Sequence, residues 1–257
     1  MDIFVLIKQT FDTEEKIALN NGAINEEQAK WIINPYDEYA IEEALRLRDR
    51  FGGRVTALSV GPERVVDALR TALALGADEA ALIDGEPFGG DEYGISLALA
   101  AYLRQRSYDL VLGGFFSVDN GAGQVAVRLA ALLDIPHAAA VTQLDVKDGV
   151  ALAVRDAEGD HERFELPLPA LITAQQGLNE PRYPSLPGIM KAKKKPLQRL
   201  GADELGLTPP PPKTARLALF APPPRAAGQR LEGDAAAQAA ALALALRSDA
   251  RTRTLLQ

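Results

Sequence analysis

The sequence predicts a doubly wound, mostly parallel α/β sheet, followed by an extended C-terminal arm that ends in a helix. Three observations predict it. Short apolar runs alternate four times with helical patterns over residues 3–133, the order that builds a parallel sheet covered by helices. The first run, at residues 3–8, carries apolar side chains at successive positions, as a strand buried on both faces requires. Proline runs at 209–212 and 222–224 then separate the tail from that alternation.

After the first strand, Asn34-Pro35-Tyr36-Asp37 opens a helix. Asn34 suits the N-cap, and Pro35 suits the first turn, where its missing N–H leaves no donor unpaired. Asp37 and Glu38 complement the positive end of the helix dipole. Ile41, Ala44 and Leu45 supply the apolar face, Glu42 and Glu43 read as exposed, and Gly52-Gly53 ends the helix. A second strand is expected at 55–60, with a helix at 63–75 closed by Gly76. A third strand follows at 79–83 with a helix at 93–106, and a fourth at 110–114 with a helix at 123–133. Right-handed crossovers should join them.

Past Pro136 the alternation stops. Residues 140–146, 150–155, 163–166 and 170–174 are strand-like, and Ala157-Glu158-Gly159-Asp160 reads as a hairpin turn. Residues 178–196 form a stiff loop held by Pro181, Pro184 and Pro187, with Leu186 near its apex, which runs into the basic cluster Lys191, Lys193, Lys194 and Lys195. That cluster suits a local contact with a partner or with an acidic patch of the chain itself. The tail reads as a proline linker and then a helix over 233–247, with Asp234 near its start and Arg247 near its end. Two regions are therefore expected: 1–200, the α/β domain including the loop at 178–196, and 201–257, an arm and helix that pack on a partner.

The composition narrows the function. There are no cysteines, so disulfides, thiolate metal sites and cysteine nucleophiles are excluded. The net charge of −7 argues against general nucleic-acid binding, which needs a broad basic surface. The apolar run at 3–7 is too short for a signal peptide, and no run approaches the ~20 residues of a membrane span. A soluble, cytoplasmic protein without stable membrane insertion is expected. The two histidines, His137 and His161, are far apart, and no nucleophile elbow or Walker-type phosphate loop occurs. No acid–base pair can be assembled, so a binding or carrier role is favoured over an enzyme, and no metal site is expected.

Ligands of such sheets bind beyond the carboxyl ends of the strands. Three segments converge there: the turn after the first strand, Asn34-Pro35-Tyr36-Asp37, and Gly113-Gly114-Phe115-Phe116-Ser117-Val118-Asp119-Asn120-Gly121-Ala122-Gly123-Gln124. Four glycines ahead of a helix let backbone N–H groups approach an anion, and phosphate is the natural ligand. Gly121-Ala122-Gly123-Gln124-Val125-Ala126 fits the dinucleotide pattern, but it lies several residues past its strand rather than in the tight turn. The expected sheet is thus Rossmann-like, with a nucleotide phosphate as its ligand.

Several segments resemble the electron transfer flavoprotein beta subunit family over nearly the whole chain. They include Val5-Leu6-Ile7-Lys8-Gln9, Asn34-Pro35-Tyr36-Asp37-Glu38-Tyr39-Ala40-Ile41-Glu42-Glu43-Ala44, Arg70-Thr71-Ala72-Leu73-Ala74-Leu75-Gly76-Ala77-Asp78, Tyr108-Asp109-Leu110-Val111-Leu112-Gly113-Gly114 and the stretch 178–196. The resemblance implies a heterodimer with an alpha subunit and an FAD held mainly by that subunit. It also implies electron flow from flavin dehydrogenases to a quinone reductase, and a structural AMP on this chain. By motif position, AMP would lie near Leu6, Asn34, Pro35, Tyr36, Asp37, Val60 and the loop from Gly114 to Val125. Leu186 matches the leucine that anchors the dehydrogenase, with Tyr183, Pro184, Pro187, Ile189 and Met190 around it, and the C-terminal arm would wrap the alpha subunit. The loop departs from the family form: Phe115-Phe116 replaces a basic residue and glutamine, and Asp119-Asn120-Gly121-Ala122-Gly123-Gln124 replaces D-G-D-T-G-Q. A hydroxyl and a carboxylate are lost, so AMP would rely on backbone contacts. Electron-bifurcating relatives, which carry a second FAD here, lean on the fuller loop, so the simple carrier is favoured. A stand-alone adenine-nucleotide-binding module is the remaining alternative.

Overall fold

The structure, a computed structural model, describes residues 1–15, 17–20, 22–221, 223 and 227–248. Its elements in chain order are β1 (Asp2–Leu6), β2 (Gln9–Phe11), β3 (Leu19–Asn20), β4 (Ala23–Ile24), β5 (Trp31–Ile33), α1 (Pro35–Phe51), β6 (Arg54–Gly61), α2 (Val66–Leu75), β7 (Glu79–Asp84), α3 (Glu92–Leu103), β8 (Leu110–Gly114), α4 (Val125–Leu133), β9 (His137–Lys147), β10 (Val150–Ala157), β11 (Asp160–Pro167), β12 (Ala170–Ala174), α5 (Leu186–Ala192), β13 (Leu197–Leu200) and α6 (Ala235–Ser248).

Nine strands form one sheet in the order β11-β10-β9-β12-β8-β1-β6-β7-β13. Seven of them, from β9 to β13, are parallel neighbours, and the β10–β11 hairpin extends one edge in antiparallel fashion. The expected doubly wound sheet is present. Strand β1 shows why its sequence is apolar without alternation. Ile3 and Val5 join a core with Ile41, Leu45, Leu69 and Leu73 of α1 and α2. Phe4 and Leu6 join the opposite core with Leu99, Leu103 and Leu129 of α3 and α4. Successive side chains of a strand point to opposite faces, so a helical layer on each face demands an apolar residue at every position.

The chain moves outward from β1 through β6 to β7, then returns to the other side of β1 at β8. The direction of winding therefore reverses between β1 and β8, which opens a crevice at the carboxyl ends of those strands.

The structure revises several sequence expectations. The helix expected from residue 63 begins as a short 3₁₀ turn at Glu63–Val65, and the one expected from 123 begins at Val125. Asn34 flanks α1, but its side chain makes no capping bond; the glycine-rich loop engages it instead. Glu42 and Glu43 are buried, not exposed. Leu186 is not the apex of a loop: it is the first residue of the short helix α5, whose N-cap Ser185 accepts from the Gly188 N–H at 3.2 Å. Of the basic cluster, Lys195 donates to the carbonyls of Leu73 at 3.0 Å and Ala77 at 2.5 Å, where α2 ends. Burial pulls the Lys195 ammonium below its usual pKa, and the unpaired carbonyls there are its natural partners. The hairpin turn at 157–160 is found, with Glu158 at φ 49° and Gly159 at φ 94°.

The described chain divides into two units, Met1–Leu219 and Phe220–Gln257. In the second, Asp234 accepts from the Ala237 N–H at 2.9 Å and caps α6, a helix with no buried residue. Of the second proline interruption, Pro222 and Pro224 lie outside the described residues. Among the described residues no helix is long and apolar enough to cross a membrane.

Candidate functional site

The crevice holds a cavity of about 300 Å³. Its floor is made by the ends of β1, β6 and β8, through Leu6, Leu58, Val60 and Gly114, and α3 closes one wall with Ile95 and Leu99. Along the other side runs the glycine-rich loop, which ends at the first turn of α4. No side chain caps that turn, so its N–H groups remain available to an anion.

Three buried or half-buried polar residues shape the cavity without being free to bind. Asp37 accepts from the Lys8 N–H at 2.7 Å, the Asn34 side chain at 3.1 Å and the Gly114 N–H at 3.0 Å. It thus ties β1, α1 and β8 together at the switch point. Asn34 also donates to the Phe116 carbonyl at 2.9 Å and accepts from the Val118 N–H at 3.2 Å. Lys8 pairs with Asp119 at 2.7 Å and donates to Ser117 at 3.1 Å. All three hold the loop in place.

Burial pushes the Asp37 carboxyl up to about 7, against the pull of its three hydrogen bonds. A carboxyl whose pKa is raised by folding stabilises the fold while protonated, and that contribution is lost as pH rises. The Asp37 contribution to stability is therefore expected to fall between pH 3.8 and about 7, and Asp37→Asn should remove this component of the pH dependence. Denaturant unfolding across that range checks it, and parallel pH profiles for the two proteins would contradict it.

The remaining residues expected at the site divide. Leu6, Asn34, Asp37, Val60, Gly114, Phe115, Phe116, Ser117, Asp119, Asn120, Ala122, Gly123 and Val125 all line the cavity. Pro35, Tyr36, Val118, Gly121 and Gln124 do not. Tyr36 borders a separate polar depression with Thr142 and Gln175. Its ring packs on Phe116 at 4.5 Å and Phe115 at 6.4 Å between centroids, so the two phenylalanines build an aromatic cluster with α1. Gln124 accepts from Arg128 at 2.7 Å. Sequence reasoning missed Lys8, Glu92, Ile95 and Arg216. Lys8 directly follows a recognisable strand and could have been found; Arg216 lies in a tail without local pattern.

The surface around α5 is apolar and open. Tyr183 is 93% exposed, Leu186 78% and Met190 72%, with Ile189 and Pro187 beside them. Pro184 is half-buried. The supporting framework is polar. Arg182 donates to buried Glu42 at 2.6 and 3.1 Å, and Asn179 donates to Glu43 at 3.0 Å. On the far side Arg70 donates to the carbonyls of Ala192 and Lys195. A Cβ at Gly188 would strike the Ala74 carbonyl, so glycine lets α5 lie directly on α2.

Burial alone would raise the Glu42 pKa, but the bonds from Arg182 and Arg46 outweigh it and hold the carboxyl below its ordinary value. Its contribution is present above pH 4.5 and is lost as pH falls through the lowered value. Glu42→Gln should cost about 1–2 kcal/mol near neutrality, since the arginine partners are partly solvated. Adding Arg182→Ala should then cost little more. Denaturation midpoints check this, and fully additive losses would show that the pair does not act as a unit.

The family model for the electron transfer flavoprotein domain matches residues 21–205. The chain is also 52% identical to the electron transfer flavoprotein subunit beta of Bacillus subtilis (strain 168), over 98% of this chain and 99% of that one. This chain belongs to the electron transfer flavoprotein beta subunit family. Within the family it is 33% identical to the human electron transfer flavoprotein subunit beta, over 90% of this chain and 92% of the human one. It is 35% identical to the caffeyl-CoA reductase–Etf complex subunit CarD of Acetobacterium woodii, over 91% of this chain and 92% of that subunit. Its relatives are named as subunits of electron transfer flavoproteins, which are electron carriers.

Proposed function

We propose that this chain pairs with an alpha subunit to form a cytoplasmic electron-transferring flavoprotein, that AMP fills its cavity, and that flavin dehydrogenases dock on α5. The pair passes its electrons towards a quinone reductase. FAD, held mainly by the alpha subunit, supplies the redox chemistry when bound. The observation that carries the AMP reading is the cavity itself. Its volume of about 300 Å³ lies at the low end for ligand pockets, which suits a mononucleotide better than a flavin dinucleotide. Leu6, Leu58, Val60, Ile95 and Leu99 offer the adenine an apolar wall, and the uncapped first turn of α4 offers the phosphate its donors. The loss of polar side chains at Phe115, Phe116 and Ala122 leaves those backbone donors in place.

A bifurcating form with a second FAD in this cavity is the second reading, favoured by the similarity to a subunit of the caffeyl-CoA reductase–Etf complex. A stand-alone nucleotide-binding module gives no role to the open apolar surface around Leu186 or to the fully exposed helix α6. The arm is proposed to wrap the alpha subunit. The test is to produce the chain alone and with its alpha partner, record visible spectra, and identify the small molecules released on denaturation by mass. AMP from this chain and flavin only from the pair is the expected result. One equivalent of flavin on this chain alone overturns the AMP reading in favour of bifurcation, and a monomer that never joins an alpha subunit overturns the carrier reading.

A further inference from the structure

The segment at 212–216 crosses the start of α3 and reaches the cavity, and its attachment there is specific. Asp91 is buried. One of its carboxylate oxygens caps α3 by accepting from the Gly94 N–H at 2.7 Å. The other accepts from the N–H groups of Lys213 at 2.5 Å and Thr214 at 3.3 Å. One carboxylate thus starts a helix and clasps the tail. Pro212 lies against Gly89, where a Cβ would come within 3.2 Å of its ring, and the Lys213 ammonium stands 5.5 Å from the centre of the Tyr93 ring.

These contacts hold the segment at the start of α3, and Arg216, an exposed residue, lines the cavity together with Gly90 and Glu92. Its guanidinium makes no hydrogen bond or ion pair with any described residue. The Ser96 hydroxyl donates to the Val125 carbonyl at 3.2 Å, so the starts of α3 and α4 lie side by side. Arg216 therefore stands at the same end of the cavity as the uncapped turn of α4. Lys8, the other cation at the cavity, is already paired with Asp119. An exposed arginine without a partner among the described residues, two positions past the backbone clasp of Lys213 and Thr214 on Asp91 and lining the cavity that the uncapped turn of α4 borders, is placed to act as a phosphate ligand.

We infer that residues 212–216 are a strap across the cavity mouth, clasped by Asp91, and that Arg216 is the side chain that recognises the phosphate of a nucleoside monophosphate bound there. The inference rests on the nucleotide reading of the cavity. It makes the tail part of the ligand site, so that occupancy fixes the stretch from which the C-terminal arm departs.

Equilibrium dialysis of the full chain against AMP and against adenosine separates the two ideas. Arg216→Ala should bind AMP about tenfold more weakly and adenosine equally well, with Arg216→Lys in between. In wild type, saturating AMP should slow tryptic cleavage after Lys213, and in Arg216→Ala it should not. Unchanged AMP affinity in Arg216→Ala, or equal losses for AMP and adenosine, overturns the strap while leaving the cavity reading intact. Failure of the wild-type chain to bind AMP overturns the cavity reading and this inference with it.

Discussion

A Gly114→Ala variant should lose about 2–3 kcal/mol of stability and with it the nucleotide. Gly114 ends β8, and its N–H donates to Asp37 at 3.0 Å. A methyl group there would strike the Asp37 carboxylate and the Tyr36 side chain and backbone. None of these can give way cheaply. Asp37 is fixed by two further hydrogen bonds, and the Tyr36 ring is packed against the Phe115–Phe116 pair. Relief requires α1 to slide away from β8, which opens the switch point on which the cavity is built. Denaturant unfolding with an unchanged m-value measures the loss, and AMP content measures the second effect. A stability change below about 0.5 kcal/mol, the usual range for harmless surface substitutions, would show that the start of α1 is not held as described.

Leu186→Ala should lower the affinity for a dehydrogenase partner about thirtyfold, the equivalent of about 2 kcal/mol for an anchor buried in a partner pocket. Flavin content and stability should stay unchanged. Leu186 is 78% exposed, so its removal leaves no cavity in this chain. Its backbone belongs to a helix held by Ser185 at one end and by the Arg70 bonds at the other. The loss should therefore be one of contact and not of shape. Stopped-flow measurement of dehydrogenase oxidation with a range of carrier concentrations checks this. Transfer kinetics equal to wild type would remove Leu186 from the docking surface.

The sheet was legible because burial on both faces imposes unbroken apolar runs, as at Ile3, Phe4, Val5 and Leu6. The last strand was not. In β13 only Leu200 is buried, while Gln198 and Arg199 face solvent, because an edge strand with one covered flank needs few apolar residues. Helix α5 was hidden by its prolines, which read as a stiff loop although Pro187 occupies the first turn, where proline is tolerated. Glu42 and Glu43 read as exposed because charge usually seeks water. Their partners, Arg182 and Asn179, are distant in sequence, and no local window can show such a pairing. At the cavity, glycine spacing pointed to the right loop. It could not reveal that Asn34 and Asp37 bind the protein itself, nor that the tail returns to supply Arg216.

The pairing of β13 with β7 also sets an order of events. Strand β7 is complete at Asp84, but its outer neighbour is not made until Leu197–Leu200. Until then β7 is an open edge, and closing it requires one of the longest-range pairings in the sheet, a slow kind of contact to form. The α5 surface lies inside that closure, between β12 and β13. The surface proposed for docking is therefore expected to be among the last features to form as the chain folds. On the proposed reading, a copy that has not closed this edge would offer a dehydrogenase no organised surface, so the order of assembly would itself screen which molecules enter electron traffic.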